Sequence, residues 1–333
     1  MKVGIKAISY VFPEKIVTNH DLEKDFGDWT AEKIFDKTGI KNRFVVDQNE
    51  CASDLAYQAA ISLFAQNNIS PQSIDFIILA TQSPDYYLPT TACVLQDRLE
   101  IPQSAGALDF NLGCSAYIYG LAVAKSLVIA GIANNVLLLT AETYSKYLNK
   151  YDRSNRTIFG DGATASLIGI DGHEIKDFDL GTDGSGKDVL IVPAGGARLP
   201  HSSETAIEEN YENSVRSKNN LFMDGPEVFN FTIRVVPKSI KKLLEKSHLV
   251  LEDIDLFVFH QANKFMLDFL RKKSKIPEEK FYVDIEDFGN TVSSTIPIAL
   301  KRAEEKGQLH KGNKVLIIGF GVGLSWGSCI IDW

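Results

Sequence analysis

The sequence predicts an α/β protein made of two copies of one unit. Helical stretches alternate with short apolar runs, such as residues 74–80 and 136–140, which are typical of strands buried on both faces of a sheet. Strands that alternate with helices favour a parallel sheet. Three segments of the first half recur in the same order in the second half, which indicates an internal duplication.

The first half follows a regular order of strands and helices. Thr18 and the polar residues after it are expected to begin a short helix, and residues 38–43 are expected to form a basic turn. The predicted strands are residues 2–10, 74–80, 105–110 and 136–140, and the predicted helices are residues 31–37, 54–66, 90–99 and a buried helix that follows Cys114.

The second half repeats parts of the first. The matching pairs are residues 73–82 with 253–262, 134–139 with 312–318, and 159–171 with 320–332. The two copies are expected to join near residues 171–176. Residues 181–220 are rich in Gly, Ser, Asn and charge and are predicted to be loops over the core.

The composition limits the function classes. The chain has 333 residues and a net charge of -8, so its surface as a whole is not expected to bind nucleic acid or anionic lipid. No apolar run approaches the roughly 18 residues that a membrane span needs, and the first residues do not resemble a signal peptide. Four cysteines without a CxxC pair argue against a zinc site and a disulfide framework. We therefore expect a reduced cytoplasmic protein without a metal.

Cys114 is the first candidate reactive residue. It follows a polar turn and precedes an apolar helix, whose free N–H groups and dipole favour a thiolate. The dipole contributes only about 0.3–1 kcal/mol, which lowers a thiol pKa of about 8.5 by less than one unit. A nucleophilic Cys114 therefore needs further help, and a buried inert cysteine is equally compatible with this segment alone.

The second half supplies partners for Cys114. His260 ends a buried strand, and the carboxyl ends of strands are where functional groups collect in parallel sheets. Asn290 lies in a turn before a predicted helix at residues 295–303. The glycine-rich residues 319–323 lack GxGxxG spacing, so a dinucleotide site is disfavoured, but their N–H groups can stabilise an oxyanion.

These motifs together resemble one family. They are Gly113-Cys114-Ser115, His260-Gln261-Ala262-Asn263, Gly289-Asn290-Thr291 and the closing run of residues 321–328. In this order they resemble the β-ketoacyl-acyl-carrier-protein synthase III family. The resemblance covers residues 2–333 and implies a thiolase-like fold, in which two duplicated α/β halves form five αβαβα layers and the chain is usually a homodimer. The expected halves are residues 1–172, with Cys114, and residues 173–333, with His260 and Asn290.

The resemblance also implies a role for each residue. Cys114 would take an acyl group from a coenzyme A thioester, with the backbone N–H groups of Cys114 and Val322 as the oxyanion hole. His260 and Asn290 would stabilise the enolate that malonyl-acyl-carrier protein forms when it loses CO2. Coenzyme A thioesters and a phosphopantetheine-bearing carrier protein would be substrates, with no permanently bound cofactor. The resemblance places the reaction in fatty acid or related lipid and secondary-metabolite biosynthesis.

Some positions differ from familiar members of this family. Lys33 stands where they place the tryptophan that stacks on the adenine of coenzyme A, Lys37 replaces an arginine, and Arg153 is retained. Leu88 matches an aromatic residue of the partner chain that closes the acyl pocket, which suggests a longer or branched acyl group. In the helix after His260 an arginine position holds Phe265.

A basic cluster follows His260 in this acidic chain, and its members are Lys264, Arg271, Lys272, Lys273 and Lys275. It is either a solvated helix end or a docking site for an acidic carrier protein, steered by charge.

Three alternatives remain open at this point. The same fold could pass the acyl group from Cys114 to an oxygen or nitrogen nucleophile without C–C bond formation. A cysteine hydrolase also combines Cys, His and Asn, although the duplicated halves argue against it. A hydroxymethylglutaryl-CoA synthase would need a catalytic glutamate, for which Glu142 is a candidate.

Overall fold

The structure is a computed structural model that describes residues 1–211 and 214–333. Most of the regular structure is in one large sheet and the helices that cover it. Its helices are α1 Asn19–Phe26, α2 Ala31–Thr38, α3 Ala52–Asn67, α4 Thr91–Arg98, α5 Ala116–Ile129, α6 Arg153–Arg156, α7 Gly225–Lys246, α8 Lys264–Lys273 and α9 Thr295–Glu305. Its strands are β1 Val3–Val11, β2 Lys15–Thr18, β3 Asn42–Val45, β4 Phe76–Ala80, β5 Gly106–Phe110, β6 Asn135–Glu142, β7 Gly162–Ile170, β8 His173–Thr182, β9 Leu190–Ile191, β10 Glu209–Tyr211, β11 Ser214–Arg216, β12 Phe222–Met223, β13 Leu256–Phe259, β14 Phe281–Tyr282, β15 Lys314–Gly321 and β16 Ser325–Asp332.

Ten strands hydrogen-bond in the order β14-β13-β15-β16-β8-β1-β7-β6-β4-β5. Each strand of the first half lies as far from one edge of the sheet as the matching strand of the second half lies from the other edge. Strands β1 and β8 pair at the centre. The three matched sequence segments fall on β4 and β13, on β6 and β15, and on β7 and β16. The repeated segments therefore occupy equivalent places in the sheet.

The expectation of a wholly parallel sheet is wrong. Strands β4, β5 and β6, and likewise β13, β14 and β15, are parallel, but β7 runs antiparallel to β6 and β1. Likewise β16 runs antiparallel to β15 and β8, because the short glycine-rich connection after β15 turns the chain back directly, and such a hairpin joins antiparallel strands.

The helices complete five layers. Helices α3 and α4 pack on the outer face of the first half-sheet, and α7 packs on the outer face of the second with α8 beside it. Helices α5 and α9 contact strands of both half-sheets and so lie between them. The apolar side chains of α5, including Leu121 and Ala124, belong to the central core. This arrangement confirms the predicted αβαβα order.

Two local predictions need correction. Residues 181–220 are mainly loops, but they also contain the end of β8 and the short strands β9, β10 and β11. Residues 38–43 turn at Gly39, which has a positive φ of 70°, and then enter β3, which pairs with β2. These strands were missed because they are only two to four residues long, which is too short for alternation to be detected.

Candidate active site

Cys114, His260 and Asn290 lie around one cavity of about 340 Å³. Its walls are mostly apolar, with side chains from the second half and from the segment before β7. The lining residues are Cys114, Ile158, Phe159, Leu190, Met223, Gly225, Pro226, Val228, Phe229, His260, Ala262, Asn263, Phe265, Met266, Asn290, Phe320 and Gly321. The cavity thus combines a thiol from one half with two polar side chains from the other.

Cys114 follows β5 and precedes α5. The helix begins at Ala116, so the cysteine lies in the turn before the helix rather than on its first residue. The side chain is only 6% exposed. Burial, together with the charge that Glu142 carries once it is ionised, raises the pKa of the thiol to about 12, while hydrogen bonds from the backbone N–H groups of Cys114 and Val322 act to lower it. The resting sulfur is therefore a protonated thiol with two N–H groups directed at it.

Two glycines let β15 approach the nucleophile. A Cβ on Gly321 would lie 2.9 Å from Cys114 Sγ, and a Cβ on Gly319 would lie 2.4 Å from the carbonyl oxygen of Cys114. Both distances are too short for a real side chain, so this close packing requires glycine. The glycine-rich run therefore brings the N–H of Val322 to the sulfur. The role of this N–H group in an oxyanion hole stays a prediction.

His260 is the residue after β13, and it is 2% exposed. Its backbone N–H donates to the Ile318 carbonyl oxygen at 2.8 Å. In the side chain, Nδ1 lies 2.7 Å from Thr295 Oγ1, and the ring packs edge-on against Phe320. Burial lowers the pKa of the imidazole to about 3. His260 is therefore neutral at physiological pH and carries a single N–H.

Asn290 lies in the segment that leads to α9. Its Oδ1 accepts a hydrogen bond from the Val292 N–H at 2.9 Å, so Nδ2 is directed away from that turn. Nδ2 lies 3.5 Å from both His260 Nε2 and the Ala262 carbonyl oxygen. The preceding Gly289 has a φ of 69°, which favours glycine and produces the turn.

Glu142 is buried at the end of β6, near Cys114. Its Oε1 accepts a hydrogen bond from Ser293 at 2.7 Å, and its Oε2 accepts from the Gln82 N–H at 3.0 Å and from Ser83 Oγ at 3.3 Å. Burial raises the pKa of this carboxyl to about 8. It is not among the residues that line the cavity, so this geometry ties Glu142 to the support of the site rather than to the reacting groups.

The residues predicted to hold coenzyme A are grouped on the surface of α2 and α6. Lys33 and Lys37 place their Nζ atoms 5.3 and 5.4 Å from the ring centre of Trp29. Arg153 donates to Asp28 at 2.8 Å. Trp29 was not selected from the sequence, and it lies before Thr30, the N-cap of α2, so helical spacing does not link it to Lys33.

The basic cluster is only partly free. Lys264 lies at the start of α8, and its side chain packs against Gly39. Arg271 donates to the Ile276 carbonyl oxygen and to Glu278, both at 3.3 Å, so its charge is already partnered. Lys272 and Lys273 are exposed. Lys264 and Lys275 are exposed as well, so the cluster offers four solvent-facing lysines and one partnered arginine rather than five equivalent charges.

Leu88 does not line the cavity of its own chain. It is 82% exposed and adjoins Tyr86 and Tyr87, which are 60% and 82% exposed. Its predicted role on a partner chain stays a prediction.

Sequence reasoning missed two residues next to the reactive groups. Thr295 contacts His260, and Asn263 lines the cavity while its side chain caps α8 by accepting from the Met266 N–H at 2.8 Å. The Asn263 signal was present in the sequence, because Asn before a helical stretch is a common N-cap. Thr295 gave no such signal, since its partner is 35 residues away.

Within residues 1–211 and 214–333, no helix is both long and apolar enough to cross a membrane. Nor do three or more His, Cys, Asp or Glu side chains gather there in a way that could hold a metal ion.

Comparisons with known proteins identify the family of this chain. The families described as 3-oxoacyl-[acyl-carrier-protein (ACP)] synthase III and its C-terminal region match residues 108–184 and 244–333. A β-ketoacyl-[acyl-carrier-protein] synthase III of Caldanaerobacter subterraneus is 41% identical to this chain, and the match covers 99% of this chain and 97% of the relative. The enzyme of the same name from Clostridioides difficile is 39% identical, and the match covers 100% of this chain and 98% of the relative. A crystal structure of a 3-oxoacyl-(acyl-carrier-protein) synthase III has a TM-score of 0.98 and 50% identity, and covers 100% of both chains. The chain therefore belongs to the β-ketoacyl-[acyl-carrier-protein] synthase III family, which are condensing enzymes with the thiolase-like fold.

Proposed function

We propose that this protein joins an acyl group to a malonyl unit by decarboxylative Claisen condensation, in fatty acid or related lipid biosynthesis. In terms of reaction class it is then an acyltransferase. The observation that carries this proposal is the convergence of Cys114, His260 and Asn290, from opposite halves of the chain, on one apolar cavity.

The first step is acyl transfer to Cys114. The sulfur attacks the carbonyl carbon of an acyl-coenzyme A, or of an acyl-carrier protein, and forms a thioester while the donor's C–S bond breaks. The thiol proton ends on the departing donor sulfur, so charge and protons balance. The N–H groups of Cys114 and Val322 stabilise the oxyanion, in line with their orientation toward the sulfur.

The second step forms the carbon–carbon bond. Malonyl-acyl-carrier protein loses CO2, and the electron pair of the broken bond becomes an enolate, which attacks the acyl carbonyl and releases the Cys114 thiolate. The thiolate then regains a proton. His260 and Asn290 hold the thioester oxygen, where negative charge develops. The apolar walls favour loss of the charged carboxylate, because they solvate it poorly.

Basic side chains on α2, α6 and α8 suggest where the carriers bind. We infer that Lys33, Lys37 and Arg153 contact coenzyme A, and that Lys264, Lys272 and Lys273, with Arg271 behind them, face an acidic carrier protein. Exposed lysines on an otherwise acidic chain support the carrier-protein contact, because they can steer an acidic partner.

We also infer a homodimer whose partner contributes Leu88. The exposed apolar residues Tyr86, Tyr87 and Leu88 support such an interface, because large exposed apolar patches usually mark one. The palindromic strand order supports halves that divide between residues 172 and 173. All four cysteines are free and none is paired in the described chain, which supports a reduced cytoplasmic location.

The test is intact-protein mass spectrometry. The protein is mixed with a panel of acyl-coenzyme A and acyl-carrier donors, and malonyl-carrier protein is then added. We expect one acyl adduct, lost when malonyl-carrier protein arrives, with a β-ketoacyl product on the carrier. Cys114→Ala should give no adduct. Cys329 is also buried but lies outside the cavity, so Cys329→Ala is the matched control and should behave as the parent. An adduct on Cys114→Ala, or acyl transfer to an oxygen or nitrogen acceptor without a new C–C bond, would contradict the proposal.

A further inference from the structure

The position of one proton decides what His260 can do. The imidazole is neutral, so only one of its two nitrogens carries hydrogen. Nε2 faces the Asn290 amide, and Nδ1 faces the interior of the protein. If hydrogen is on Nε2, His260 donates toward the cavity. If hydrogen is on Nδ1, Nε2 can only accept.

Thr295 is the partner on the Nδ1 side. It is the first residue of α9 and is fully buried. Its Oγ1 lies 2.7 Å from His260 Nδ1 and 3.1 Å from the carbonyl oxygen of Val292. The hydroxyl has only one hydrogen to donate. If that hydrogen goes to the Val292 oxygen, Oγ1 must accept from an Nδ1–H, and 2.7 Å is at the short limit for a bond that an N–H donates, whereas it is the usual length for one that an O–H donates. When the hydroxyl donates to Nδ1, that nitrogen is an acceptor and the proton of the ring must be on Nε2.

The spacing on the other side of the ring agrees with this assignment. Hydrogen bonds from an N–H group usually span 2.7–3.2 Å between heavy atoms. The 3.5 Å between Asn290 Nδ2 and His260 Nε2 is longer than that. The amide cannot simply turn to offer oxygen instead, because Asn290 Oδ1 already accepts from the Val292 N–H. The two nitrogens are therefore spaced as neighbouring donors that share an outside acceptor.

We propose that Thr295 is a positioning residue, whose hydroxyl donates to His260 Nδ1 and thereby keeps the ring proton on Nε2. The Nε2–H and the Asn290 Nδ2–H then point to the same place in the cavity. Two donors that converge on one point bind an oxyanion, and here that is the thioester oxygen of the malonyl substrate. This last assignment of the oxyanion rests on the proposed function, whereas the position of the proton does not.

The first experiment observes the proton directly. The protein is labelled with ¹⁵N-histidine, and the His260 signals are assigned by comparison with His260→Gln. We expect Nε2 to show the shift and one-bond coupling of a nitrogen that carries hydrogen, and Nδ1 the shift of one that does not. Thr295→Val keeps the shape of the side chain but removes the hydroxyl, so the Nε2 signal should move toward the unprotonated position. A parent spectrum with hydrogen on Nδ1 would overturn the proposal.

The second experiment separates the two chemical steps. Loss of one oxyanion donor lowers rates by about 10²–10³-fold, so Thr295→Val should lower condensation by about 10²-fold and acylation of Cys114 by much less. Thr295→Ser restores a hydroxyl and should recover most of the condensation rate. Thr232→Val is the matched control, because Thr232 is also a fully buried helical threonine, with its hydroxyl on the Val228 carbonyl oxygen at 2.7 Å.

Equal loss of both steps in Thr295→Val, no loss at all, or no recovery in Thr295→Ser would each contradict the proposal. The function has a separate test, since a parent enzyme that forms the acyl adduct but never condenses would refute the function. In that case the histidine spectrum would still decide where the proton lies.

Discussion

Glu142 offers a prediction whose size follows from the structure. Its carboxyl is fully buried, and burial raises its pKa from 4.5 to about 8. At neutral pH it is therefore mostly protonated in the folded chain and ionised in the unfolded chain. Glu142→Gln has the shape of the protonated carboxyl. Its amide oxygen can accept from the Gln82 N–H, and its amide nitrogen can donate to Ser293 Oγ once the Ser293 hydroxyl, which donates to the carboxyl, turns away.

The sign follows from the direction of the shift. A group whose pKa is raised by folding contributes stability that is complete below its unfolded pKa and is lost as pH rises through its folded pKa. For Glu142 this window runs from 4.5 to about 8. At about 1.36 kcal/mol for each pKa unit, the full difference is about 5 kcal/mol. That is a large part of the roughly 5–15 kcal/mol that holds a typical domain folded, and structural relaxation or water entry would reduce it.

The assay is chemical unfolding at several pH values. Glu142→Gln should match the parent near pH 5 and be more stable by several kcal/mol near pH 9, because glutamine has no charge to gain. Glu279→Gln, at an exposed glutamate, serves as the control and should show a nearly constant difference from the parent. A difference between Glu142→Gln and the parent that does not grow with pH would refute the reasoning. It would mean that Glu142 is ionised in the folded protein throughout this range.

Three further predictions concern the proposed reaction. Asn290→Asp should leave acylation of Cys114 intact in a mass-spectrometric burst but slow condensation, because a carboxylate repels the developing negative charge; equal loss of both steps would contradict this. Reversing the charge of Lys272 and Lys273 should raise the apparent KM for carrier protein more than the apparent KM for acyl-coenzyme A. Reversing the charge of two exposed lysines on α7 should change neither KM. Equal changes in both KM values for Lys272 and Lys273 would count against docking at α8. Gly321→Ala should slow acylation, measured as adduct formed per second, because its Cβ would lie 2.9 Å from Cys114 Sγ; an unchanged rate would show that β15 shifts without cost.

Much of the fold could be predicted because its strands are strongly apolar. The runs that become β4 and β6 are buried along almost their whole length, and such runs are recognisable without any partner. Strand direction was harder to predict. The antiparallel position of β7 depends on where the chain returns after the excursion between Glu142 and Gly162, and no residue pattern encodes that path locally.

The proposed reactive residues could be selected from the sequence for a different reason. Cys114, His260 and Asn290 each sit in a short motif, and the motifs occur in one order along the chain. The groups that support them have no such signature. Thr295 acts through a hydroxyl that meets His260 only after α9 packs behind β13, and Glu142 reaches Ser293 across 151 residues. Supporting contacts of this kind depend on the three-dimensional path and not on sequence spacing.

The neutral state of His260 fits decarboxylation better than a charged state would. The malonyl carboxylate must lose its charge as CO2 leaves, so a cation beside it would stabilise the starting anion and oppose the step. An imidazole with a pKa of about 3 supplies a hydrogen bond without that charge. The same burial that makes the ring neutral also removes water from around the substrate, which strengthens the hydrogen bonds to the enolate oxygen. Ionisation of His260 should therefore not shape the pH profile of condensation between about pH 5 and 8, and any change of rate in that range should arise from another group, such as Glu142.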